Sequence, residues 1–164
     1  MMANIEPRVK KILAKYDLNP DHALWALTRG NKTTLIMLHK YCELVAVKAG
    51  VVIDDLVEVE TNSASGIAVV KCYAHNDKMK VITYGEASPK NSKVAYPYAM
   101  AEKRAVDRAI LKLVGLHGFV YSEDEMEDTE NEKIGSADDE AIKTFITNIT
   151  SCLLYTSDAA DDVA

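Results

Sequence analysis

The chain is poor in the residues that announce a site by themselves. Its 164 residues include three cysteines, four prolines, seven glycines, one tryptophan and two phenylalanines. Cys42, Cys72 and Cys152 are odd in number and far apart, which excludes a disulfide framework and fits a reducing compartment. No apolar run approaches the roughly 18 residues of a membrane-crossing helix, and the opening MMANIEPRVKK lacks the apolar stretch of a secretory leader. The expectation is a cytoplasmic protein with no membrane partner. A Gly-rich phosphate loop, a Gly-x-Ser-x-Gly elbow and a Cys/His nucleophile pair are all missing. No cofactor and no enzymatic step is therefore expected, and any function would have to run on binding energy alone.

What the chain does have is charge, unevenly distributed. Its net charge is −6. Met1 to Ser122 carries 17 Lys+Arg against 12 Asp+Glu, a net +5, while Glu123 to Ala164 carries 2 against 13, a net −11. A mildly basic domain followed by an acidic stretch attracts phosphates through local patches, whatever its total charge. The length suits one domain. The expected division is a core over residues 1–122, an acidic disordered tail over 123–150, and a separate end over 151–164. Within the tail, Ser136 is a candidate cap for a short helix with Ala141, Ile142, Phe145 and Ile149 on its apolar face. The last fourteen residues, SCLLYTSDAADDVA, match neither the composition nor the pattern before them. They closely resemble translated sequencing-adapter DNA and are expected to be non-native.

Apolar periodicity places the elements. Ile5, Val9, Ile12, Leu13 and Tyr16 form one face of a first helix that leads in through Pro7. Arg29-Gly30-Asn31-Lys32 is a turn with two cations. A second helix through Tyr41, Cys42, Leu44 and Val45 closes at Gly50 as a left-handed cap. From Val51 the period becomes two: Val51 to Thr61, Ile67 to His75 and Lys78 to Thr83 read as three antiparallel strands in a meander. A loop from Gly85 to Ala95 then returns the chain to a helix started by Pro97. Ala101, Ala105, Ala109 and Leu113, with Val106, Ile110 and Val114, give that helix an apolar side built partly of small residues, suited to close packing on a sheet. The fold class is α+β: a three-stranded antiparallel meander with a long helix packed on it, plus N-terminal helices.

Cations mark the candidate site. Arg104, Arg108 and Lys112 recur every fourth residue on the last helix, with Lys103 beside them. Lys71, Lys78 and Lys80 surround the Asn76-Asp77 turn, and Arg29 and Lys32 occupy the glycine turn. Tyr73, Tyr84, Tyr96 and Tyr98 are interleaved with these cations, as residues that stack on unpaired bases would be. Two other chemistries fit subsets of the chain. His39, Cys42, Cys72 and His75 make a tetrahedral zinc set by type, although Cys72 and His75 point to opposite faces of one strand. Asp54, Asp55, Glu58 and Glu60 lie on the first meander strand, with Glu58 and Glu60 on one face, and suggest a metal-dependent nuclease.

GNKTTLIMLHKYCELVA (Gly30 to Ala46), GEAS (Gly85 to Ser88) and AEKRAVDRAILKLVGLHG (Ala101 to Gly118) carry a resemblance that spans Thr28 to Tyr121. The segment resembles the single-strand annealing proteins of phages and their eukaryotic Rad-type relatives, and looks most similar to marine-phage-like members. The resemblance implies a β-β-β-α core assembling into a ring or filament, ATP-independent annealing in recombination, repair or replication, and an exonuclease or single-strand binding protein as phage partner. It also implies that Lys112 is the late helix cation of an inner single-strand groove, that Lys103 is a second helix cation, and that Arg29 is the basic residue of the early turn. Where the family often has adjacent late basic residues, Lys112 is followed here by Leu113, Val114 and Gly115, and Arg104 and Arg108 supply charge one turn earlier.

Overall fold

The computed structural model describes residues 5–126. Every described element belongs to one compact unit, which lies within Met1–Glu130. The expected helix after Ser136 and the end segment 151–164 lie outside the described residues.

Helix α1 (Pro7–Lys15) starts at a proline and buries Val9 and Leu13, with Ile12 and Tyr16 against the same core. It ends at Tyr16, before Asn19-Pro20, and Asn19 instead caps the short α2 (Pro20–Ala23) by accepting from the Asp21 N–H. The residues on either side of the expected Arg29-Gly30-Asn31-Lys32 turn then pair. Strands β1 (Leu24–Arg29) and β2 (Lys32–Met37) form a hairpin around Gly30–Asn31, with Gly30 at φ 60 in the first turn position. Helix α3 (His39–Lys48) closes at Gly50, whose φ is 62. The Gly50 N–H bonds the Val47 carbonyl and the Val51 N–H bonds the Ala46 carbonyl, a Schellman cap.

The meander is β3 (Val52–Asn62), β4 (Ile67–His75) and β5 (Lys80–Ala87), antiparallel in that order. The third strand runs four residues past the expected Thr83, so the expected loop loses Gly85 to Ala87 to the sheet. Helix α4 (Pro97–Val114) lies across its inner face. Contact is closest at Gly85, where an added Cβ would sit 1.9 Å from the Ala101 carbonyl oxygen and 2.4 Å from the Ala105 nitrogen. The Ala101, Ala105 and Ala109 stripe permits that approach, and all three are buried. The Thr83 hydroxyl donates to the Ala105 carbonyl at 2.7 Å, pinning sheet to helix. A Schellman cap at Gly115 stops α4.

The other side of α4 meets α3 and a second sheet. Strand β6 (Val120–Ser122) pairs parallel to β2, giving the order β1-β2-β6. Ile110, Leu111, Val114, Leu116 and Val120 share one core there with Val9, Leu13, Met37 and Val45. Order continues past Ser122, where the acidic tail is expected to begin. Glu123–Glu125 form a 3-10 turn closed by a capping box, in which the Ser122 hydroxyl accepts from the Asp124 N–H and the Glu125 carboxylate accepts from the Ser122 N–H.

Candidate nucleic-acid interface

The basic row of α4 is divided by its surroundings. Arg104 is only 5% exposed. Its guanidinium donates to the Glu86 carbonyl at 2.6 Å, to the Asn91 carbonyl at 2.8 Å, to Asn91 Oδ1 at 3.2 Å and to the Asp124 carbonyl. Arg108, one turn later, donates to the Tyr84 carbonyl and from Nε to Glu125 Oε1 at 2.6 Å. Strand β5 is a sheet edge, and the carbonyls of Tyr84 and Glu86 point away from β4. The two arginines therefore satisfy an edge that would otherwise invite strand pairing. The expectation that Arg104 offers itself to phosphates is corrected: its charge is spent inside the fold. Lys112 is half-buried, and the exposed Lys103 ammonium stands 4.0 Å from Asp124.

The outer face of the meander is different, because α4 covers only the inner one. Alternation sends Val69, Lys71 and Tyr73 of β4 and Lys80, Ile82, Tyr84 and Glu86 of β5 outward. Pairing sets Lys71 opposite Tyr84 and Tyr73 opposite Ile82. The Lys71 ammonium lies 4.7 Å from the Tyr73 ring centre and 5.7 Å from that of Tyr84. Tyr73, and then Tyr84, hold this ammonium above the ordinary lysine value. Tyr84 is 44% and Ile82 49% exposed, so two aromatic rings and a cation form a shelf open to solvent. Val57 of β3, opposite Lys71, extends it. Lys78 and Lys80 lie exposed at the end of the sheet, where Asn76 Oδ1 accepts from the Lys78 and Met79 N–H groups to fix the turn.

Arg29 and Lys32 sit on the other sheet. They flank the hairpin turn and line a shallow pocket with Leu27, Thr34, Tyr121 and Met126. The nine candidate cations thus fall into an open shelf with Lys71, Lys78 and Lys80, a hairpin pair, and a helix row partly used by the fold. Of the tyrosines grouped with them, Tyr73 and Tyr84 join the shelf, whereas Tyr96 is the residue that leads into α4 and Tyr98 lies in its first turn.

No family profile, no curated protein and no solved structure matches this chain.

The zinc set does not assemble. Cys42 is on the buried face of α3, and Cys72 of β4 lies under α4; burial pushes both thiols up, away from the thiolate a metal needs. His75 pairs with Asp54 at 2.8 Å, and His39 turns to Asp107. The nuclease carboxylates do not converge either. An irregularity at Val59 sets Glu58 opposite Val70 and Glu60 opposite Val69, which places them on opposite faces of the sheet and corrects the expectation of a shared face.

A cluster that no sequence motif announces lies between α3, α4 and the acidic turn. Asp107 is wholly buried and accepts from the Ser122 hydroxyl and from His39 Nδ1, 2.9 Å from Oδ1 and 3.0 Å from Oδ2. Asp124 Oδ2 is 3.4 Å from the same nitrogen, and Glu43 Oε1 is 3.3 Å from Nε2. The hydrogen bond to Asp107 raises the His39 pKa against the opposing effect of burial, and the charges of Asp107, Asp124 and Glu43 add to the rise. Burial lifts the Asp124 carboxyl above its ordinary value, opposed by Lys103, His39 and Arg104. His39, Asp107 and Asp124 are of a type that also takes a divalent cation. The His39 ring and the Ser122 hydroxyl already satisfy Asp107, so the cluster is explained as a clasp between α3, α4 and the turn. A weaker signal was present: Asp107, Leu111 and Val114 share one helical row, and an acid on an apolar row needs a buried partner.

Proposed function

We propose that this domain binds single-stranded nucleic acid on the outer face of the meander and, as an oligomer, promotes pairing of complementary strands without ATP. The observation that carries the reading is the Tyr73–Lys71–Tyr84 shelf: an exposed ring and a half-buried one around a cation, on a sheet face that the rest of the described fold leaves uncovered. Aromatic faces stack on any base and lysines neutralise any phosphate, so such a surface holds a strand without reading its sequence. Neutralising one backbone lowers its repulsion toward a second strand, and bases that are not pinned by specific hydrogen bonds remain free to pair. The resemblance to phage annealing proteins points the same way and suggests DNA and a recombination role. The long exposed edge of β3, with Val52 and Val59 near half exposure, is where a second copy would add its strands to make a ring or filament.

The test is the pairing rate of two complementary oligonucleotides with and without the protein, in EDTA, without nucleotide, across a salt series. Salt-sensitive acceleration without strand cleavage is expected. Failure of a folded protein to bind or accelerate overturns the reading, and strand cleavage in a parallel reaction with magnesium in place of EDTA would replace it with nuclease chemistry.

A further inference from the structure

The acidic run begins on top of cations rather than in water. The capping box engages Glu125 Oε2 with the Ser122 N–H, which directs Oε1 to Arg108 Nε at 2.6 Å. Asp124 stands beside Lys103, and its carbonyl accepts from Arg104. Glu123 accepts from the His39 N–H at 3.2 Å, and Asp124 faces the His39 ring. Two of the three consecutive carboxylates, Asp124 and Glu125, are thereby fixed against Lys103 and Arg108 of α4, while Glu123 anchors the turn to the start of α3. Arg108 remains 33% exposed, and through the Tyr84 carbonyl it sits at the edge of the stacking shelf.

We infer that the turn Glu123–Glu125 is a built-in competitor for nucleic acid, a resident anion on Arg108 and Lys103 that a strand crossing the Tyr84 edge displaces. This inference rests on the function proposed above. Exchange of one anion for another is physically easy here. Phosphate leaves Arg108 neutralised, and the displaced carboxylate, 11% exposed in the turn, regains its hydration in water. Arg104 does not take part, because its bonds hold β5 and the Asn91 loop. The device restricts binding to strands that offer several phosphates at once, since a single contact cannot compete with an anion tethered at high effective concentration.

Glu125→Gln separates fold from charge. Glutamine at this position of a capping box still accepts from the Ser122 N–H, so the turn keeps its cap while Arg108 keeps the Tyr84 carbonyl and loses only its charged partner. Binding of a fluorescent single-stranded oligonucleotide to the full chain, followed by anisotropy across a salt series, reads the effect. Relative to the parent, E125Q is expected to tighten binding about three- to tenfold at low salt and to steepen the log-log salt dependence by about 0.7, one further phosphate contact. Asp124→Asn, beside Lys103, should act in the same direction, and Arg108→Gln should cancel the gain of E125Q. Binding by the parent with affinity and slope unchanged in E125Q overturns the competitor role alone. Absence of binding by both folded chains overturns the nucleic-acid reading and the competitor with it.

Discussion

His39 at the start of α3 and Asp107 in the middle of α4 are joined across 68 residues of sequence, with the histidine Nδ1 within 3.0 Å of both carboxylate oxygens. Asp107 has no solvent exposure, so its charge is tolerated only while the imidazole and Ser122 answer it.

That pairing sets a pH dependence. The folded His39 pKa is raised, chiefly by its bond to Asp107. Its contribution is therefore fully present below the unfolded histidine value of about 6.5 and is lost as pH rises through the higher folded value. Thermal melts from pH 6 upward should show stability falling through that window in the parent, and little fall in His39→Gln. Removing the imidazole while Asp107 stays buried should cost about 3 kcal/mol near pH 6. Equal pH profiles for the two chains would show that His39 does not titrate as the partner of Asp107.

Gly85 should tolerate no side chain. Its missing Cβ would overlap the backbone of α4 at Ala101 and Ala105, atoms that cannot rotate away. Gly85→Ala is expected to destabilise by about 3 kcal/mol or more, read from denaturant midpoints. A change within about 0.5 kcal/mol would mean that the helix does not lie on this strand at that distance.

Arg104 and Lys71 should fail in opposite assays. Arg104→Ala leaves the Glu86 and Asn91 carbonyls without their donor and should lower stability by roughly 2–3 kcal/mol. Lys71→Ala should leave the melting temperature nearly unchanged and weaken single-strand binding, flattening the salt slope by about 0.7. If Lys71→Ala unfolds the protein while Arg104→Ala only weakens binding, the roles of the two cations are reversed.

Tyr84→Ala tests stacking separately from charge. The ring is 44% exposed, so folding should lose little. Binding to single strands should weaken by about 1–3 kcal/mol, nearly independent of salt, with a much smaller loss on duplex. A loss that disappears at high salt would point to backbone charge instead of a base platform.

Much of the architecture was legible because it comes from local physics. Pro97 and Gly115 bound α4 as a proline at a helix start and a glycine in a left-handed cap should. The change to period two after Val51 marked the meander, and the Ala101, Ala105 and Ala109 stripe announced the close packing that Gly85 completes. The β1–β2 hairpin was less legible, since Leu24 to Met37 becomes strand by pairing with itself and with the distant β6. Four-residue spacing put Arg104, Arg108 and Lys112 on one row of α4, but spacing states only an angle around the helix axis. The tertiary structure decided what stood opposite: the free carbonyls of β5 and the acidic turn took Arg104 and Arg108, while Lys71 remained between two rings on an open face. Likewise, one irregularity at Val59 separated Glu58 from Glu60, and packing against α3 turned Asp107 from a helix charge into half of a buried clasp. The sequence by itself determined the capped helices α1, α3 and α4 and the meander strands, because caps and apolar periods act over a few residues. Only the tertiary structure decided which charges remain available for a partner, because exposure depends on the neighbours that long-range packing brings.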